Sequence, residues 1–245
     1  MTKDTKYVRK DALIVICKVL IVILSDFQVS EMSEHPEIQG LNIVLLGDFN
    51  PKIFQPAWFG SQNLVQASEA EAANIEILNP ELSIFSLEWL QVQITRDRCT
   101  MGTMQEPYYE VLRDLCLSTF KLLKHTPIRI MGINRWSHFR KRSLEDWHAL
   151  GHRLVPKDLW NNILKDPGMT SLTVQGKRED CFKGYIRVTV EPSLKIPNGV
   201  FIQVNDHYQA DEPIEGCAKI IDILESSFDH SKSRADITMQ AILSW

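Results

Sequence analysis

The sequence lacks most of the signatures that tie a small chain to a fixed chemistry. Its five cysteines, Cys17, Cys99, Cys116, Cys181 and Cys217, are odd in number, widely spaced and free of any CxxC pair. That argues against a disulfide framework and a zinc knuckle, and leaves reduced thiols, with Cys116 and Cys217 inside apolar helical patterns. There is no GxGxxG and no GxxxxGK[ST], so no phosphate-cradling loop supports a doubly wound nucleotide-binding sheet. HExxH and GxSxG are absent too, which removes the zincin and nucleophile-elbow patterns. An excess of positive charge is missing: 27 Lys+Arg against 31 Asp+Glu give a net charge of -4, so no global field draws nucleic acid or an anionic membrane. No Pro-rich, Gly/Ser-rich or low-complexity stretch divides the chain, so its parts are expected to pack on one another.

Long hydrophobic runs are also missing. The longest, ALIVICKVLIVIL at residues 12–24, is broken by Lys18 and falls short of the roughly 20 residues a membrane span needs. It follows a basic leader, but no small-x-small cleavage site appears before Glu31, so it reads as a buried strand or helix rather than a signal peptide. Met32 is an alternative start, because the polar residues after it make a leader to a first strand.

What is present suits a folded protein with a sizeable core: 44% hydrophobic, 9% aromatic and 24% charged residues, far from the profile of disordered chains. LNIVLL (41–46), closed by Gly47, reads as a buried strand. FNPKIFQPAWF (49–59) is too interrupted for a helix and too apolar for a free loop, so it packs against the core. SEAEAA (68–73) favours a short helix. Strand-like segments cover 75–78 and 82–95, with Leu90, Val92 and Ile94 on one face and the glutamines on the other. Pro107 opens a helix that runs to Thr126-Pro127, and IRIMGINRWSHF (128–139) is a long strand. Ser143 caps one short helix and Pro156 opens another. Strands follow at 172–175, 184–191 and 199–208, then helix from Glu215 to the end.

The predicted fold class is α+β, in two packed lobes, each an antiparallel or mixed sheet with helices on one face. An N-terminal extension takes 1–39, the first lobe 40–142, a helical connector 143–168 and the second lobe 169–245. Similar order in the two lobes suggests a decayed duplication.

NIVLLGDFNPK (42–52) resembles the GDFN signature of the endonuclease/exonuclease/phosphatase superfamily, and VNDHYQ (204–209) is similar to that family's late Ser-Asp-His motif. The resemblance implies metal-assisted phosphoester hydrolysis by Asp48, Asn50, Asp206 and His207, which must converge near a carboxylate metal ligand. The architecture departs from the family, since only 46 residues precede Gly47 and none of Glu31, Glu34 or Glu37 sits in a suitable strand. Glycine followed by Asp and Asn is also what a strand-ending turn selects.

Arg135, Arg140, Lys141 and Arg142, interleaved with Trp136 and Phe139, form a candidate phosphate or nucleic-acid contact, or equally a solvated strand edge. His148 and His152 share a helix face but lack an intervening glutamate, and no metal site is assigned. Phe54, Trp58, Phe59 and Trp245 are candidate interface aromatics. FNPKIFQPAWF, LQVQITRDRC, IMGINRWSHF, GYIRVTVEPS and NGVFIQVNDHY resemble a sporadically distributed bacterial family of two-lobed α+β proteins. That resemblance implies a cytoplasmic bacterial protein and carries no site residues.

The expected function is therefore a non-enzymatic binding or assembly module, without cofactor or membrane, whose partner is a protein or a second copy rather than nucleic acid. The metal-dependent phosphoesterase is the rival reading.

Overall fold

The computed structural model describes residues 34–211 and 215–244, and residues 36–243 belong to one compact unit. Alternation along the first strand, β1 (Ile38–Gly47), sets the layering. Leu41, Ile43 and Leu45 point to one face and are buried, whereas Asn42, Val44 and Leu46 point to the other and are half-buried. This is the period-two rule of a strand between two unlike environments.

Eight further strands extend it: β2 (Asn74–Leu78), β3 (Leu82–Ser86), β4 (Gln91–Thr95), β5 (Arg98–Thr103), β6 (Ile128–Arg140), β7 (Leu172–Lys177), β8 (Lys183–Pro192) and β9 (Gly199–Gln209). Every pairing is antiparallel, and the order is β2-β3-β4-β5-β1-β6-β9-β8-β7. The protein is thus α+β with one antiparallel sheet. The strands of 40–142 and 169–245 do not form separate sheets, because β6 pairs with β9 along its length, from Ile130↔Gln209 to Arg140↔Gly199.

The helices pack on the face that carries Leu41, Ile43 and Leu45. Two short ones, α1 (Pro56–Ser61) and α2 (Ala67–Glu71), precede α3 (Tyr109–Leu122), α4 (Leu144–Leu154) and the long α5 (Ala218–Ser244). Leu112, Cys116 and Phe120 of α3 and Ile220, Leu224 and Phe228 of α5 share a core with the β1 residues and with Met131 and Ile133 of β6. Farther along α5, Ala235, Met239 and Leu243 join Leu150 of α4 over Phe139, Val200 and Ile202. Ser143 caps α4 as expected, its hydroxyl accepting from the Asp146 amide at 3.1 Å. Among the described residues, no helix is long and apolar enough to cross a membrane.

Three local differences from the sequence reading have physical causes. β5 lies in a segment, RCTMGT, that reads poorly as a strand because small and polar residues occupy it, yet Cys99, Met101 and Thr103 are all buried. The segment after Pro156 forms only a 3-10 turn at Trp160–Asn162, its two asparagines being weak helix formers. The aromatics of 49–59 face inward. Phe54 and Phe59 are each 1% exposed, and Phe54 meets Phe49 and Phe120 with ring centroids 6.3 and 6.2 Å apart. Phe54 and Phe59 are therefore core residues rather than interface, and Trp58, partly buried, packs on them at 5.9 and 5.1 Å. Trp245, Met32 and the run 12–24 lie outside the described residues.

Phe54→Ala is expected to lower stability by about 3–5 kcal/mol through cavity formation, measured by urea denaturation. Light scattering should find the oligomeric state of the variant unchanged.

Candidate functional site

The adjacent pair Asp206-His207 shows how the sheet sorts polar residues. Consecutive side chains on β9 take opposite faces, so Asp206 turns under the helices while His207 turns to the open face.

Asp206 is 1% exposed. One carboxylate oxygen accepts from Arg178, and the other accepts from Arg234 of α5 at 2.5 Å. Arg178 also holds Asp180 and lies over the Tyr208 ring, 3.8 Å from its centroid. Asp206 is thus fully engaged as the buried counter-ion of two arginines. A similar device serves Arg135, which is 5% exposed. It donates to Gln39 at 2.6 Å, approaches Asp236 of α5 at 3.3 Å and sits 5.0 Å above the Tyr109 ring. Burial holds the Asp236 carboxyl above its ordinary value, with Arg135 pulling the other way, and pushes the Tyr109 hydroxyl up to about 12.

These placements correct two expectations. The phosphoesterase set does not converge. Gly47 ends β1 where a Cβ would stand 2.2 Å from the Pro127 carbonyl oxygen, so glycine is required there by close approach. Asp48 follows it, exposed and paired with Arg129 at 3.4 Å, and Asn50 accepts from the Lys52 amide at 3.2 Å in an Asx turn. The sheet register sets Asp206 beside Ile133, and Ile133 beside Ile43, five residues from Asp48 and two strands away. GDFN is here a strand exit. Nor do the four basic residues form a patch. Arg135 and Lys141 are buried, the Lys141 ammonium 3.5 Å from the Leu243 carbonyl. Arg140 grips Glu37 with two nitrogens at 2.5 and 2.9 Å, and Arg142 alone stands exposed without such an ion pair. His148 and His152 are exposed, with rings 6.4 Å apart. Among the described residues, no group of three His, Cys, Asp or Glu is placed to hold a metal ion.

The open face holds a concavity of about 720 Å³, reaching from β4 to β8. Its middle is a row of amides across three strands. Asn205 donates to the Asn134 oxygen, and Asn134 donates to the Asn42 oxygen at 2.8 Å. Gln203 approaches the same Asn134 oxygen at 3.4 Å. Beside this row Tyr185 and His207 stack, with centroids 4.2 Å apart and planes 8° from parallel. Arg187 lies 4.8 Å above Tyr185 and donates to Gln175 at 2.8 Å, so an amide rather than a carboxylate meets its charge. Arg98 stands at the far side, and no carboxylate lines the concavity. Burial holds the His207 imidazole below its ordinary value, with Arg187 and Arg178 adding to the effect, so the stacked ring is neutral near pH 7. A smaller crevice of about 290 Å³ lies between Trp147 of α4, Met169 and Pro192.

Asn42, Asn134, Asn205, Gln203, Tyr185 and Arg187 carry no sequence motif. Their only signal is polar residues at alternate positions of strands. The chain matches no protein-family model and no curated protein.

Asp206→Asn is expected to cost about 3 kcal/mol or more in chemical denaturation, because it leaves the buried Arg178 guanidinium undercompensated. A residue serving only catalysis would leave stability unchanged. His207 supplies a pH test. With its folded value depressed, the unfolded chain takes up the proton first as pH falls below about 6.5. The contribution of neutral His207 is therefore full above that range and lost below it, and wild type should lose more stability between pH 7 and pH 5 than His207→Phe.

Proposed function

We propose that this chain is a non-enzymatic binding module that holds its ligand on the open face of the sheet. The observation that carries the reading is the composition of that face. Asn, Gln and Thr side chains bind and orient a ligand by donating and accepting hydrogen bonds, but they neither supply nor take up protons near neutral pH, and His207, the titratable ring beside them, stacks on Tyr185 with no carboxylate or thiol in the lining to work with it. A concavity of this size, floored by a rigid sheet, is of the kind that receives ligands.

The architecture adds support through a decayed duplication, which we infer from three correspondences. From β1 outward the sheet runs β5-β4-β3-β2, and from β6 outward it runs β9-β8-β7, so the halves correspond in their three inner strands and β2 is additional. Each half proceeds from its central strand through short helices to a run of antiparallel strands and a closing helix, α3 or α5. Ile38-Gln39-Gly40-Leu41-Asn42 on β1 matches Ile130-Met131-Gly132-Ile133-Asn134 on β6, and the register sets Asn42 opposite Asn134. The two halves then meet about a pseudo-twofold axis through that asparagine pair. The concavity lies astride it, which is where two-lobed proteins commonly form their sites.

Side-chain amide NMR tests the reading with a panel of mononucleotides, short oligonucleotides, oligosaccharides and peptides. A ligand should shift the amide signals of Asn42, Asn134, Asn205 and Gln203, and Arg187→Ala should weaken it while leaving the thermal midpoint within a few degrees, as expected for an exposed side chain. Shifts confined to the Trp147–Met169 crevice, or turnover of a panel member, would overturn it.

A further inference from the structure

The centre of the open face contains a slot. At the Gly132 position β6 has no side chain, while its cross-strand neighbours are Val44 on one side and His207 on the other. A Cβ built on Gly132 would stand 3.0 Å from the Asn205 amide nitrogen and 3.6 Å from that of Asn134, so two donors border the gap. One wall is the His207 ring, backed by Tyr185 and, beyond it, Arg187. The corresponding glycine of β1, Gly40, has no such gap. A Cβ there would stand 2.4 Å from the Trp136 ring, which already covers it. Of the two glycine positions, one is roofed by an aromatic ring, whereas over the other only the Asn205 and Asn134 amide nitrogens come within 4 Å of the Cβ position.

The cations are disposed about this slot. In the sheet register Arg187 lies two strands to one side of Gly132 and two residues along, while Arg98 lies two strands to the other side and two residues in the opposite direction. Each backbone position is therefore about 12 Å from Gly132 on opposite diagonals, within reach of an extended arginine. A planar ring in the slot thus has the backbone of one arginine on either side of it. A mononucleotide presents phosphate on one side of its base only, whereas an internal nucleotide of a strand presents phosphate on both.

We infer that the open face binds a single-stranded nucleic acid, with one base inserted over Gly132 against His207, its edge meeting the Asn134 and Asn205 amides, and its flanking phosphates directed at Arg98 and Arg187. The inference rests on the reading of the open face as the binding surface and names its ligand. It differs from the nucleic-acid contact expected at residues 135–142, which the fold disperses. The chemistry is that of known single-strand platforms: ring stacking for affinity, amides for base edges and a few cations for phosphates. An overall charge of -4 is no obstacle, since the concavity itself is lined by cations without carboxylates.

The test is fluorescence anisotropy of the full chain with labelled single-stranded RNA and DNA of about eight nucleotides, within the range that one such platform covers. Adenosine monophosphate and heparin serve as comparators. Oligonucleotide should bind more tightly than the monophosphate, and RNA and DNA distinguish the two sources of the same chemistry, binding of either supporting the inference. Gly132→Val, which fills the slot, and His207→Ala should each weaken binding roughly tenfold or more, whereas His207→Phe keeps a ring and should bind within a few-fold of wild type. Arg98→Ala and Arg187→Ala should each reduce the slope of log K against log salt by about 0.7. Circular dichroism and thermal midpoints establish that each variant is folded, and Arg98→Ala and Arg187→Ala, at exposed positions, keep the test decisive if Gly132→Val is not. The inference is overturned if neither oligonucleotide binds, if heparin binds as well as both, or if binding is indifferent to all four sites. Absence of oligonucleotide binding while another panel compound still shifts the Asn134 and Asn205 amides would refute the nucleic-acid ligand and leave the open-face reading intact.

Discussion

The pairing of β1 with β6 is the constraint on which the rest of the molecule depends. It joins ten residues of one strand to the partner strand in a single antiparallel ladder with an irregularity only at Leu46/Gly47. Through it, five strands on one side and four on the other become one sheet. A one-residue slip would turn Leu41, Ile43 and Leu45 out of the core and Asn42 into it, and would break the row of amides at its centre. The same ladder therefore fixes both the core beneath the helices and the polar surface opposite it.

The two faces handle polar groups by different physics. Under the helices, two charged clusters are internally compensated: Asp206 between Arg178 and Arg234, and Arg135 between Gln39, Asp236 and the Tyr109 ring. Burying an ion without such partners would cost several kcal/mol. On the open face water still reaches the surface, so a row of amides and two arginines without carboxylate partners in the lining are tolerated there. Both ion clusters use α5 as one partner, through Arg234 and Asp236, so the clusters also fix where along the sheet this helix lies.

Much of the layering was legible in the sequence because it follows local periodicity. Gln91 and Gln93 alternate with Val92 and Ile94, and the structure exposes the first pair and buries the second. The strands at 172–177, 183–192 and 199–209 announced themselves between Gly and Pro signals in the same way. Strand order was not legible, since it depends on pairings between segments about 90 residues apart, and β5 was hidden by its small and polar residues. The site was less legible still. Motif similarity drew Asp206 and His207 together although strand alternation separates them. Clustering of basic residues along the sequence drew Arg135 and Lys141 into a surface patch although both are buried. The residues that do share the open face become neighbours only when β1, β6, β8 and β9 are laid side by side.

Asymmetry between the two halves is where function would reside on such a scaffold. Gly40 and Gly132 each stand two residues before the facing asparagines Asn42 and Asn134. One step outward the halves diverge. Alongside β1 the open face carries Thr100, Gln93 and Arg98, whereas alongside β6 it carries Asn205, His207, Tyr185 and Arg187. Backbone geometry cannot account for this difference, because the flanking strands pair antiparallel on both sides. Nor does core packing, because these side chains point away from it. Folding alone gives no reason for the stacked rings of Tyr185 and His207 to stand on one side only of the exposed face.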